Sequence, residues 1–457
     1  MSTAVIRWGG LAGSVLVAVA AYLGGSPFAR GATVTPGSML AGRQGVLLPL
    51  CWVLGLAALL CAWWFGRHRV PSTGWALITA GLWMLPVLPM LPLGSEDIYS
   101  YACQGFVQHA GGDPYAGGVQ DFGCPWLDSV STTWRTSPAP YGPLFLLLAG
   151  WAVALGGSLP GAIAGLRIIA LAGLALIAVG LPLLARRAGV DPARAVWTVL
   201  ACPLVLIHLV SGAHNDALMV GLLVVGLALV AGRPAPLVLV AAGVALGLAV
   251  AVKATAVVVL PFAVLAALGA GHERAPLRAL WRPAGLIAAG VLGAAGLASL
   301  ASGRGLGWVA GLLRSGDTVA WTSPSTAVGL AVELVGGEAV GVTRVLGVLL
   351  LVILLPVLWW RARDGGALRG AGLALGATVL CAPVFHPWYA IWPLAVLAAT
   401  TEERRWVLGL CALAATLTLP AGYNWALYTR VPGAIVVTAV LVVLAVRQVR
   451  ARRRVFA

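Results

Sequence analysis

Apolar runs long enough to cross a bilayer recur from one end of this chain to the other, and each run must satisfy its own backbone hydrogen bonds. Only helices and closed barrels meet that demand in lipid. The runs are continuous rather than alternating, which decides for helices. Charge supports the same reading. Only 9% of the 457 residues are charged and 60% are hydrophobic, with a mean hydropathy of +0.97. A soluble surface needs about 25% charged residues. The expected fold class is an all-α polytopic membrane protein built as a single membrane domain.

Spans are expected at 8–24, 46–65, 75–93, 164–184, 194–210, 217–232, 236–252, 254–270, 284–300, 341–360, 370–386, 388–401, 406–420 and 432–447. That is about 14 transmembrane helices, within a range of 12–15. The first follows Arg7 and has no A-x-A cleavage site after it, so it reads as an uncleaved helix rather than a signal peptide. With the N-terminus inside, the inner segments hold 20 of the 29 basic residues and five of the 14 acidic ones. The whole excess of +15 then lies inside, including a basic tail at 447–457. This distribution accounts for the pI of about 10.4 and argues against a nucleic-acid partner. Lysine occurs once, at Lys253, beside 28 arginines, a bias typical of a GC-rich genome.

Residues 141–157 are apolar, but a full crossing there would move Arg186, Arg187 and Arg194 outside. They are therefore expected to form a half-embedded helix at the outer face, with both termini of the protein cytoplasmic. Two long outer loops remain, 94–140 and 301–340. Long loops in compact structures are usually functional or disordered, and the first is rich in Trp, Tyr, Asp and Pro, which is not a disordered composition.

Ionisable residues near membrane depth are functional candidates by default, and here they gather at outer span ends. Glu96 and Asp97 follow the third span and could act as a general base or as metal ligands; the plain alternative is a helix cap. His214-Asn215-Asp216 sits between two short spans, where capping is again the alternative. Lys253, in a tight turn, could hold a phosphate or simply snorkel to the interface. Phe385-His386-Pro387-Trp388-Tyr389 could form a sugar-stacking or phosphate-binding wall, or belong to an aromatic belt. Arg135 and Arg314 are further phosphate candidates. No cofactor is required, although Asp97, Glu96 or Asp216 could hold a divalent metal. Cys103 and Cys124 share the first outer loop and are placed to pair in an oxidising compartment; the other cysteines fall within spans.

These motifs resemble actinobacterial polyprenol-phosphomannose-dependent alpha-1,6-mannosyltransferases of the C-type glycosyltransferase superfamily. The resemblance rests on Ser95 to Gly105, Gly111 to Tyr115, Gly212 to Met219, Val252 to Ala256 and Phe385 to Tyr389, in that order, and covers roughly residues 75–400. The Tyr141-Gly142-Pro143 helix resembles the loop-embedded helix of the wider superfamily. The resemblance implies a donor of polyprenyl-phosphate mannose, a mannan or lipoglycan acceptor, and contact with membrane lipid. It makes Asp97 the catalytic base and Glu96 its neighbour, with His214, Asp216 and Lys253 lining the phosphate and acceptor pocket. It also implies a location in the bacterial plasma membrane with the active site outside. Rival readings are the same fold with another lipid-linked sugar (arabinose or glucose), a secondary transporter, and a non-catalytic lipid-binding scaffold. A transporter would place its ionisable groups near midplane on broken helices in repeated halves, and no such halves are visible.

Overall fold

A computed structural model of the chain describes residues 2–24, 35–42, 45–232, 234–269, 276–312, 318–401, 405–420 and 424–455; side chains at 310–312 and 452–455 are outside this description. Arg314 therefore lies outside the described residues, as do several of the inner charges, Arg233, Glu273 and Arg274 among them. The architecture is all-helical. One isolated antiparallel bridge, Thr418 to Asn424, is the only β-pairing among the described residues.

The principal helices are α1 (Thr3–Leu23), α2 (Leu47–Gly66), α3 (Thr73–Met84), α4 (Asp97–His109), α5 (Pro143–Gly156), α6 (Leu159–Arg187), α7 (Pro192–Leu200), α8 (Asp216–Val230) and α9 (Pro236–Val252). They continue with α10 (Leu260–Ala266), α11 (Trp281–Ser302), α12 (Pro324–Glu333), α13 (Val340–Ala362), α14 (Ala367–Cys381), α15 (Ile391–Thr400), α16 (Arg405–Thr416) and α17 (Arg430–Val455). Six of these are long and apolar enough to cross a bilayer unaided: α1, α2, α6, α11, α13 and α17. The chain is thus a polytopic membrane protein by helix length and composition.

The remaining expected spans are shorter or bent. The stretch 194–210, one span in the sequence, is broken in the structure. Helix α7 stops at Leu200, and a π-helical turn over Val205–Ser211 leaves at 68° to it. Pro203 explains the break, because it supplies no amide hydrogen and disfavours a helical residue before it. The stretch 388–401 becomes a 3-10 turn, Pro387–Ala390, followed by the ten-residue α15. At 1.5 Å per residue α15 is about 15 Å long, half of a bilayer core. The count of fourteen full crossings is therefore not carried by helix length. Helix α5 has 14 residues, also too short to cross, and ends where Gly157 turns left-handed (φ 61°) into the cap of α6.

Small residues let these helices approach closely. Helix α6 packs on α8, α8 on α9 and α9 on α11, while α4 lies against α5 and α5 against α6. In the second half of the chain α13 packs on α14, α14 on α15 and α12 against both α13 and α17, while α15 reaches back onto α6 and α7. The site lies where the broken segments meet: the start of α4, the turn before α8, the end of α9 and the turn before α15.

Candidate active site

Four stretches far apart in sequence bring their polar side chains together. Asp97 opens α4 and is buried. Its Oδ1 accepts a hydrogen bond from Trp134 Nε1 at 3.0 Å, and its backbone N–H donates to Ser95 Oγ at 3.1 Å. Its Oδ2 lies 3.8 Å from His214 Nδ1. That same imidazole nitrogen lies 3.2 Å from Tyr101 Oη and 4.0 Å from Asp216 Oδ2. Asp216 in turn binds Lys253: Nζ donates to Oδ1 at 2.8 Å, and Trp392 Nε1 donates to the same oxygen at 2.6 Å.

The local backbone explains why these groups point inward. Glu96 and Asn215 occupy the residues just before α4 and α8, yet neither side chain makes a capping bond. Ala213 is the only non-glycine residue with positive φ among the described residues (47°), a conformation costly for a side chain with a Cβ. It directly precedes His214. Backbone strain there is of the kind held in place by surrounding packing. Lys253 ends α9 in an extended conformation (φ −151°, ψ 116°), so its side chain leaves the helix and turns into the cluster. Gly142 makes room beside it. Its N–H donates to Val252 O at 3.0 Å, and a Cβ on it would sit 2.1 Å from Ala251 O. That approach sets the Tyr141 ring 5.9 Å from Lys253 Nζ.

Aromatic rings wall the cluster. Trp388 is buried, with its ring centroid 4.1 Å from that of His214, and the His386 ring stacks on it with centroids 4.6 Å apart and planes 5° apart. Lys253 Nζ lies 4.7 Å from the Tyr389 ring and 5.0 Å from the Trp392 ring. Lys253 therefore does not snorkel; it is a buried cation with a carboxylate partner and π faces around it. Trp388 likewise is a wall of the cluster rather than part of an exposed belt.

Several buried polar atoms here have no hydrogen-bond partner among the described residues: His214 Nε2, Asp216 Oδ2 and both ends of the Asn215 amide. Buried polar groups are nearly always paired, so unpaired ones clustered at one point suit a polar ligand. Burial pushes the Asp97 carboxyl up to about 6, against the pull of Ser95, Trp134 and the Lys253 charge. Burial and the neighbouring Asp97 charge push Glu96 up to about 7, and Arg135 works the other way. Arg135 itself is tied into its loop, donating from Nε to Val130 O at 2.9 Å and from Nη2 to Asp128 O at 3.2 Å. Among the described residues, no group of three or more His, Cys, Asp or Glu side chains has the spacing to hold a metal.

A Cys103–Cys124 disulfide joins α4 to the loop that follows it, with Cα atoms 5.6 Å apart. Four participants escaped the reading of the sequence. Trp134 and Trp392 are the indole donors to the two carboxylates, and Tyr101 and Tyr141 complete the wall. The signals were slight: Tyr101 lies one helical turn after Asp97, and Trp392 one turn after Trp388.

Fold and site together define a polytopic membrane enzyme with a buried carboxylate, histidine and lysine cluster. The chain belongs to the alpha-(1->6)-mannopyranosyltransferase family: residues 7–269 match its N-terminal domain, and residues 317–448 match the MptB C-terminal domain. It is 35% identical to alpha-(1->6)-mannopyranosyltransferase A of Mycobacterium tuberculosis, over 82% of this chain and 76% of that one. It is 29% identical to alpha-(1->6)-mannopyranosyltransferase B of Corynebacterium glutamicum, over 83% of this chain and 70% of that one. A probable alpha-(1->6)-mannopyranosyltransferase of Mycolicibacterium smegmatis is 32% identical over 78% of this chain and 69% of its own length. No solved structure matches the chain.

Proposed function

We propose that this protein is a mannosyltransferase that moves mannose from polyprenyl-phosphate mannose onto a growing alpha-1,6-linked mannan at the outer face of the plasma membrane. The observation that carries the reading is the convergence of Asp97, His214, Asp216 and Lys253 in one buried cluster, in a chain of this family. A lipid-linked sugar phosphate keeps its tail in the bilayer and its anomeric carbon near headgroup level. A cluster at the mouths of short, broken helices suits that substrate.

Asp97 is the base. It takes the proton of the acceptor hydroxyl as that oxygen bonds to the anomeric carbon. The bond from that carbon to the phosphate oxygen breaks, and its electron pair leaves with the polyprenyl phosphate. One displacement of this kind inverts the anomeric centre, from a beta-linked donor to an alpha-linked product. A carboxyl titrating at about 6 is matched to such a role near neutral pH. Lys253, fixed by Asp216, and the imidazole of His214 stabilise the charge that develops on the leaving phosphate. Glu96 adds a second proton-accepting group one residue away, and His386, Trp388 and Tyr389 offer the stacking surface for a sugar ring. Arg135 orders the loop that carries Trp134. Helix α5 is the half-embedded outer helix of this arrangement, and the basic tail is cytoplasmic.

The test is a membrane assay with radiolabelled polyprenyl-phosphate mannose and a short alpha-1,6-mannoside acceptor. Asp97→Asn, properly inserted, should lose about 100- to 10,000-fold in rate, the usual share of a general base. Normal transfer by that variant removes Asp97 from the mechanism. No transfer from this donor by the wild type redirects the reading to another lipid-linked sugar, arabinose or glucose, and then to transport.

A further inference from the structure

Helix α6, one of the six that cross a bilayer unaided, carries a charge inside its apolar length. This is Arg167, about 12 Å along the helix from Leu159 at 1.5 Å per residue. An arginine at such depth is costly and takes its partners from inside the protein. Here they are backbone carbonyls on two separate loops. Nη2 donates to Met90 O and, at 3.2 Å, to Ser211 O. No carboxylate among the described residues pairs with it. Ser211 completes the joint: its hydroxyl donates to Leu91 O at 3.1 Å and accepts from the Leu93 N–H at 3.0 Å. These bonds lace 90–93, the stretch leading into Glu96 and Asp97, to the π-helical turn leading into His214.

We infer that Arg167 is a positioning residue for mannosyl transfer and Ser211 its relay, an inference that rests on the function proposed above. The joint fixes how far the carboxylate stands from the imidazole, Asp97 Oδ2 lying 3.8 Å from His214 Nδ1. It also bears on the strained Ala213 (φ 47°), which lies between Ser211 and His214. Such a conformation persists only where its surroundings over-determine it. Behind it, Gly212 N–H donates to Ile207 O at 3.0 Å and His214 N–H to His208 O at 3.1 Å. In front, Arg167 and Ser211 hold the turn against 90–93. Without them the turn relaxes and carries the His214 ring away from Asp97. Reacting groups are then misplaced while the binding surfaces remain, which lowers kcat rather than raising KM.

The experiment uses reconstituted full-length protein and reads two things: transfer from polyprenyl-phosphate mannose to a short alpha-1,6-mannoside, and backbone hydrogen exchange by peptide. Arg167→Met should lower kcat about 10- to 100-fold, the scale of a small misplacement at the reacting atoms, with KM for either substrate within about twofold. Arg167→Lys, whose ammonium can donate to the same two carbonyls, should recover most of that loss. Ser211→Ala removes a single hydroxyl, should lower kcat in the same way, and carries the test alone where the methionine variant does not insert. The double variant should be no slower than Arg167→Met, because both side chains act through one joint. Exchange should rise in 90–97 and 211–216 and stay at the wild-type level in α13 and α14. Unchanged kcat in both single variants overturns the inference. So does exchange that rises throughout the chain, which makes Arg167 a general support of the fold, or a loss confined to KM, which makes it a binding residue. Failure of the wild type to use this donor counts against the function proposed above, and the exchange comparison still decides the joint.

Discussion

Replacing Lys253 with methionine removes the cation from an ion pair whose carboxylate, Asp216, is fully buried and whose ammonium is only 10% exposed. The methionine fills nearly the same volume, so the loss is electrostatic. Asp216 would keep one donor, Trp392 Nε1, at 2.6 Å. Breaking a buried pair from one side typically costs about 3–5 kcal/mol, because the survivor stays charged and poorly solvated. Asp216→Asn should cost less. Its amide oxygen still accepts from Trp392, and Lys253 retains the faces of Tyr389 and Trp392, worth about 0.5–2 kcal/mol. The double variant buries no charge and should be no worse than Lys253→Met alone. The coupling energy of the cycle is then at least the whole cost of Asp216→Asn. Thermal unfolding of purified protein, followed with a thiol-reactive dye, measures it, since Cys51, Cys202, Cys381 and Cys411 are free and buried while Cys61 sets the baseline. Single losses that add to the double loss within about 0.5 kcal/mol would refute the pair as an energetic unit.

Asp97 and Glu96 both titrate higher in the folded protein, at about 6 and 7, than their ordinary 3.8 and 4.5. The folded state therefore binds more protons across this interval, and these two groups contribute stability below pH 4 that is lost as pH rises through 6 to 7. If Asp97 is the base proposed above, transfer should rise over the same interval, so a pH series should show melting temperature and rate moving in opposite directions; a rate flat from pH 5 to 7.5 counts against Asp97. Trp134→Phe removes a donor to the charged carboxylate and should shift the acid limb of the rate profile to higher pH, with no shift arguing that the indole contact is incidental. Cys103→Ser opens a bridge between residues 21 apart and should lower stability by about 3 kcal/mol, read as faster proteolysis within 94–140. Ala213→Gly should stabilise by up to about 1 kcal/mol while Ala213→Val destabilises; a lower melting point for the glycine variant contradicts the positive φ.

Class and chemistry were legible in the sequence for different reasons. Bilayer-length apolar runs announce helices because lipid permits little else, and polar residues stand out against that background. Asp97, His214, Asp216, Lys253 and Trp388 could thus be singled out one by one. Their pairing could not, because Lys253 and Asp216 meet only when α8 and α9 fold back on each other, and no local periodicity records that contact. The indoles of Trp134 and Trp392 were hidden for another reason: tryptophan is ordinary at a membrane surface, so its hydrogen bond to a buried carboxylate leaves no trace in composition. Helix count was the least legible. A run of apolar residues reads the same whether straight or bent by 68° at Pro203, and α15 is too short to show its own ends.

The cluster draws on both matched regions of the chain. Its acids, histidine and lysine come before residue 269, whereas Trp388, Tyr389 and Trp392 come after 317. During synthesis the first region leaves the ribosome with Asp216 and Lys253 in place but without the Trp392 donor to Asp216 and without the Trp388 ring against His214. A chain halted before residue 386 would hold its charges half-covered in the bilayer. Assembly of the cluster is therefore tied to completion: the segment that closes it is made among the last, and a truncated product carries the polar groups without that enclosure.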